Sequence, residues 1–141
     1  MERCCMFEHE KWLQIAKEDL MAAKTLLKSE LFSAVTYHCQ QSAEKALKGY
    51  LAFKKHEILK SHDLNKLVGL CKKFDITFDQ IYDSADLLNP YATRFRYPTE
   101  FDIPDLADSE FAIKQTQTIL KFVLKKITEP ETGQKDIFNK Q

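Results

Sequence analysis

Leu13, Ala16, Leu20, Ala23 and Leu27 recur at spacings of 3, 4, 3 and 4, with Trp12, Ile15 and Leu26 widening the stripe. Lys11, Lys17, Glu18, Lys24 and Lys28 lie mostly outside it, so the pattern predicts an amphipathic helix over about 8–29. Glu30 and Leu31 leave room only for a tight connection, and the next helix should return antiparallel. That second helix is expected over about 32–55, with Val35, Cys39, Ala43, Ala46, Tyr50 and Phe53 as its apolar stripe. Ala34, Ser42, Ala43, Ala46 and Gly49 are small enough to let a neighbouring helix approach closely. A third helix should start at Ser61 or His62, with Asp63 in its first turn and Leu64, Leu67, Val68, Cys71 and Phe74 inward. Phe74 to Phe78 alternates like a strand, but a lone strand has no ladder partner, and Thr77 to Gln80 matches a capping box. A shorter fourth helix, 78–88, is therefore expected, with Ile81, Tyr82 and Ala85 inward and Asn89-Pro90 ending it. Ile113, Thr116, Leu120, Val123 and Ile127 repeat at 3, 4, 3 and 4, which predicts a last helix beginning near Pro104. Between them, 90–103 reads as one long loop, and 128–141 as a flexible C-terminal tail.

This makes an all-α, up-and-down bundle of four main helices and a short one, occupying about 8–127. Composition agrees: no proline occurs before Pro90, and only three glycines are present, which argues against a turn-rich sandwich or barrel. At 141 residues the chain can build one core and not two. Lys and Arg total 21 and so do Asp and Glu, so bulk charge gives no case for nucleic acid or a membrane surface. Cys4, Cys5, Cys39 and Cys71 form no CxxC pair, which leaves metal-finger and disulfide-framework readings without support. No apolar run approaches the ~18 residues of a membrane span, and the start lacks a signal-peptide apolar region, so a cytoplasmic location without a cofactor or metal is expected.

Local chemistry is less even. Residues 75–110 carry nine acids and only two bases, Arg94 and Arg96, both in the proline-bounded loop. They are either salt-bridged among those acids or the positive spot of a site. On the second helix His38, Gln41 and Lys45 share a face apart from the apolar stripe, while Tyr37, Gln41, Glu44 and Lys48 form a neighbouring polar row. Such a ridge either lines a cleft or subunit interface or is a solvated face. Ser61-His62-Asp63 reads first as a helix cap. Tyr91 to Pro98 interleaves aromatics with arginines, which suits stacking on a base and pairing with phosphate, and suits equally well a loop anchored by packed tyrosines.

Taken in order, WLxxAxxDLxxAxxLL (12–27), YHxQQxAEKALK (37–48), HDL (62–64) and YxTRxxYP (91–98) resemble the small prokaryotic HEPN (higher eukaryotes and prokaryotes nucleotide-binding) domain. The resemblance implies a homodimer, a nucleotide or RNA ligand, and a minimal nucleotidyltransferase partner in a toxin–antitoxin-like pair. Ribonucleases of this family use an Arg followed after four to six residues by a His. Here His9, His38, His56 and His62 all precede Arg94, and Tyr97 and Glu100 occupy the region where that His would fall. The expected site is therefore a binding cleft: Arg94 and Arg96 with Tyr91 and Tyr97, beside His38, Gln41 and Lys45. The alternatives are a metal-independent ribonuclease with a displaced His38 or His62, and a purely structural dimer. Homodimerisation is also expected because one chain's bundle should use only the apolar stripe of the second helix.

Overall fold

The computed structural model describes residues 6–94 and 103–129. Helix α1, Glu8–Lys28, starts at Phe7, whose amide donates to the Glu10 carboxylate at 2.9 Å, and it buries only Leu13, Ala16 and Ala23. The connection turns at Glu30, a non-glycine residue at φ 59°, and the amides of Ser29 and Leu31 both donate to the Leu26 carbonyl. Helix α2, Phe32–Phe53, then runs back along α1 and ends at Lys55, φ 60°, where the His56 amide reaches the Leu51 carbonyl at 2.9 Å. Closing the turn with that 6→1 bond ends α2 two residues before the expected limit.

Helix α3, Leu64–Lys72, also starts later than its sequence suggests. Asp63 lies before the first turn, not in it, because its extended backbone lets the carboxylate accept from the amides of Asn65 and Lys66. The capping box expected at Thr77–Gln80 does not form. Asp75 takes both the amide and the hydroxyl of Thr77, and a 3₁₀ turn over Ile76–Ile81 precedes α4, Tyr82–Leu88. Three residues per turn change the phase of the face. Phe78, Ile81, Ala85 and Leu88 point inward, while Tyr82, expected inside, is 40% exposed.

The long loop is not wholly irregular: Tyr91–Arg94 forms one helical turn, α5. Arg96 and Tyr97 lie outside the described residues, as does most of the expected tail. Helix α6, Leu106–Thr128, opens with a reciprocal cap in which Asp105 accepts from the Asp108 amide at 2.8 Å and Asp108 from the Asp105 amide at 3.1 Å. No strand occurs among the described residues, and none of their helices is long and apolar enough to cross a membrane.

The helices pack around α2, which touches α1, α3, α4, α5 and α6. Thirteen of its 22 residues are buried, against three of 21 in α1. Leu47 and Leu51 meet Leu64, Leu67, Phe78, Ile81, Leu88 and Ile119 in one core. Tyr50, Phe78 and Phe122 pack ring to ring at 4.4 and 4.9 Å. Small residues work as expected: a Cβ on Gly49 would stand 3.2 Å from the Trp12 Cβ, so α1 and α2 approach as closely as a glycine permits. Two buried hydroxyls tie neighbours to α2, Ser42 donating to the Ala16 carbonyl at 2.7 Å and Thr116 of α6 to the Cys39 carbonyl at 3.3 Å.

Candidate functional site

His38, Gln41 and Lys45 do share one ridge of α2, and it faces Asp19 of α1. The His38 Nδ1 lies 2.9 Å from one Asp19 oxygen and the Lys45 Nζ lies 3.4 Å from the other. Lys45 also reaches the Gln41 Oε1 at 3.4 Å, while the Gln41 amide donates to Gln40 Oε1 at 2.9 Å and to Glu44 Oε1 at 3.5 Å. The three residues form a connected polar seam with an acid in it, not a row of unpaired donors.

The seam continues through the neighbouring polar row of α2 and the segment that caps α3. Glu44 keeps just 3% of its side chain exposed, and Lys48 Nζ sits 2.8 Å from its Oε2. A buried carboxylate survives only with such compensation. The same ammonium stands 5.8 Å over the Trp12 ring. The other Glu44 oxygen is 3.0 Å from the His62 Nδ1. A carboxylate can only accept here, so Nδ1 carries the proton and Nε2 of the neutral ring is left as an acceptor. The His62 backbone is held as well, its carbonyl accepting from Gln40 Nε2 at 3.0 Å.

His62 therefore combines a side chain 65% exposed with a doubly fixed position. It borders a surface cleft of about 390 Å³, lined also by Asp63, Asp86, Asn89, Pro90 and Ala92. Asn89 organises this floor. Its Oδ1 accepts from the Leu64 amide at 2.8 Å, and its Nδ2 donates to Asp63 at 3.0 Å. That amide, together with the first α3 amides, holds the Asp63 carboxyl below the usual carboxylate range. Asp86 accepts from Asn65 at 2.9 Å. Both acids of the cleft thus have hydrogen-bond partners already.

Pro90 and Ala92 place the root of α5 at this cleft, next to His62. Tyr91 is half-buried against the core, the packing role that sequence left open for it. Arg94 is the last residue of α5, and Arg96 and Tyr97 lie outside the described residues. Gln40, Glu44, Lys48 and His62 are the residues sequence reasoning undervalued. Their signal was the run of polar positions at 40, 41, 44, 45 and 48, too dense for a helix that packs on several sides. The premise that one bundle uses only the apolar stripe of α2 is likewise corrected, because the polar row is covered by α1 and by the segment before α3.

No group of three or more His, Cys, Asp or Glu among the described residues could hold a metal ion. Cys39 and Cys71 are buried, and desolvation pushes the Cys39 thiol up to about 12 and Cys71 higher still, so neither is poised as a nucleophile.

Residues 9–127 match the family profile of the HEPN domain. Two crystal structures are similar in fold. TT1696 from Thermus thermophilus is 25% identical, with a TM-score of 0.72, covering 86% of this chain and 99% of its own. ST0689, an archaeal HEPN homologue, is 24% identical, with a TM-score of 0.69, covering 87% and 100%. No curated protein matches the chain.

Proposed function

The chain belongs to the HEPN domain family, and from that premise we propose that it is a dimeric nucleotide- or RNA-binding bundle that partners a minimal nucleotidyltransferase. The observation that carries the reading is the exposed His62, its imidazole held by Glu44 and its backbone carbonyl by Gln40, beside the root of α5, the segment that leads into Arg94, Arg96 and Tyr97. The Glu44 hydrogen bond that orients the exposed ring also presets its Nε2 as an acceptor, and a preset group loses less entropy when a ligand binds. Arg94 and Arg96 supply the cationic donors for phosphate, and Tyr97 a ring for stacking. His38, Gln41 and Lys45 support them from the α2 ridge, with Asp19 holding His38 and Lys45 in place.

The test is fluorescence anisotropy with a short labelled RNA and, separately, with a labelled nucleotide. Arg94→Ala and Arg96→Ala should each weaken binding at least fivefold and flatten its salt dependence, while Lys28→Ala on α1 leaves it unchanged. Equal small effects from all three, or no binding by the parent protein, refute the reading and leave a structural dimer. Dimerisation is checked by light scattering, where a particle of 16.5 kDa at micromolar concentration refutes it. Co-purification with the product of a neighbouring nucleotidyltransferase reading frame checks the partner.

The Glu44–His62 pair also favours a second reading, ribonuclease chemistry with a displaced histidine. A carboxylate that fixes the tautomer of an exposed imidazole is the arrangement of a general base, and an arginine would stabilise charge on the phosphorane. RNA cleavage lost in both His62→Gln and Arg94→Ala is its expected signature. An absence of cleavage in the parent protein rejects this reading and leaves the binding reading standing.

A further inference from the structure

A second concave surface lies at the other end of α2 and takes no part in the site above. Phe53 is nine residues beyond Glu44, about 14 Å along the helix at 1.5 Å per residue. The start of α1, the end of α2 and the following turn enclose a cleft of about 620 Å³ lined by Phe7, Glu8, His9, Ala52, Phe53, Lys55, His56 and Glu57. That volume lies in the range of small-molecule sites.

Four of the lining side chains are flat rings, and they contact one another or a neighbouring ring. Phe7 and His9 are parallel within 7°, with centroids 5.8 Å apart, and His9 meets Phe53 edge-on at 5.1 Å. Phe53 leans on Tyr50, and Tyr50 on Phe78, so the inner wall is continuous with the buried core. Phe7 is 70% exposed, yet its backbone is tied by the α1 cap. The two imidazoles supply polar contacts. His56 Nδ1 lies 2.6 Å from the Glu57 carbonyl, which can only accept, so Nδ1 is the protonated nitrogen and Nε2 of the neutral ring is an acceptor. His9 has ring contacts but no protein hydrogen bond among the described residues, so both its nitrogens remain available to a ligand. A metal ion is not the occupant, since no three ligating groups converge.

We propose that this cleft between α1 and the end of α2 binds a flat, uncharged, fused heteroaromatic molecule, stacked on Phe7 and hydrogen-bonded to His9 and His56. Ring faces provide the affinity, and every planar base or cofactor ring offers one. The imidazoles select a ring that carries both an N–H and an acceptor nitrogen. Glu8 and Glu57 on the lining stand against Lys55, and the Lys54 ammonium lies 5.6 Å over the Phe53 ring, so the local charges cancel and a ligand's phosphate gains nothing here, unlike at the α5 segment.

The probe is free adenine, uncharged at pH 7, titrated into the full chain and followed by the ring-proton NMR signals of His9 and His56. Saturable shifts of both signals are expected, with AMP binding no more tightly than adenine. Phe7→Leu should weaken adenine binding at least fivefold while leaving the thermal midpoint within about 2 °C, and Arg94→Ala should leave it unchanged. Absence of saturable shifts up to 5 mM overturns the proposal, as does equal affinity in the Phe7→Leu protein. Should Phe7→Leu disturb folding, His56→Ala serves in its place, with the same fivefold criterion. Loss of adenine binding in Arg94→Ala would assign the ring to the other site and also overturn the proposal.

Discussion

Lys48→Met isolates the buried charge on which the polar seam depends. The substitution keeps a long, flexible side chain over Trp12, where a thioether retains much of the packing. It removes the ammonium 2.8 Å from a Glu44 carboxylate that is almost wholly buried. Breaking such a pair from one side costs about 3–5 kcal/mol, because the remaining charge stays desolvated. His62 still holds the other oxygen, which places the expectation near the lower end, about 3 kcal/mol. With a urea slope near 1.5 kcal/mol/M, the unfolding midpoint should fall by about 2 M. Far-UV circular dichroism is the right signal, since Trp12 fluorescence reports the changed neighbour as well as unfolding. Glu44→Gln combined with Lys48→Met should recover stability to within about 1 kcal/mol of the parent. A loss below 1 kcal/mol in Lys48→Met, or no recovery in the double variant, would show that the pair carries no such charge.

Three other outcomes are expected. Asp63→Ala removes the α3 cap and should cost about 1 kcal/mol at pH 7; because the hydrogen bonds from Asn89 and the first α3 amides hold the folded carboxyl below its unfolded value, the gap to the parent should close on acidification below the ordinary carboxylate range of about 3.9, and urea titrations showing an undiminished gap there refute this. Gly69→Ala, where a new Cβ meets nothing within 4 Å, should stabilise by about 0.5–1 kcal/mol, whereas Gly49→Ala, facing the Trp12 Cβ and Leu13 at 3.2 Å, should gain nothing or lose stability in the same thermal scan. Cys39 and Cys71 should resist alkylation at pH 8 in the folded protein and react only in urea, with peptide mass spectrometry locating the label; prompt reaction of either would mean that the core opens locally.

The long helices were legible because a 3.6-residue period over more than 20 residues leaves little choice of face, and α1, α2 and α6 lie close to the expected spans. The misreadings fall where one hydrogen bond decides. Asp63 capped α3 from outside the helix, and Asp75 took Thr77 before Thr77 could cap anything. The polar ridge was half legible. Spacing put His38, Gln41 and Lys45 on one ridge, but nothing in a one-dimensional pattern places Asp19 opposite them from another helix. Glu44 and Lys48 read as part of a polar row that could line a cleft or face solvent. Their burial follows from α2 being wrapped on several sides, which is a property of the assembly and not of the helix.

The central position of α2 also sets how unevenly this sequence can drift. A residue on α1 has a solvent side to turn to, and most substitutions there cost little. A residue on α2 has neighbours on nearly every side, and a change of size, charge or hydrogen-bonding capacity has nowhere to go. Relatives that keep the fold at about a quarter identity should therefore spend their freedom unequally: identities crowd onto 35–51, and the outer faces of α1 diverge almost without restraint. An alignment of many such chains with substitutions spread evenly between the two helices would contradict this. On that expectation the most constrained part of the protein is one helix, and the remaining helices are the wrapping that keeps its polar row dry.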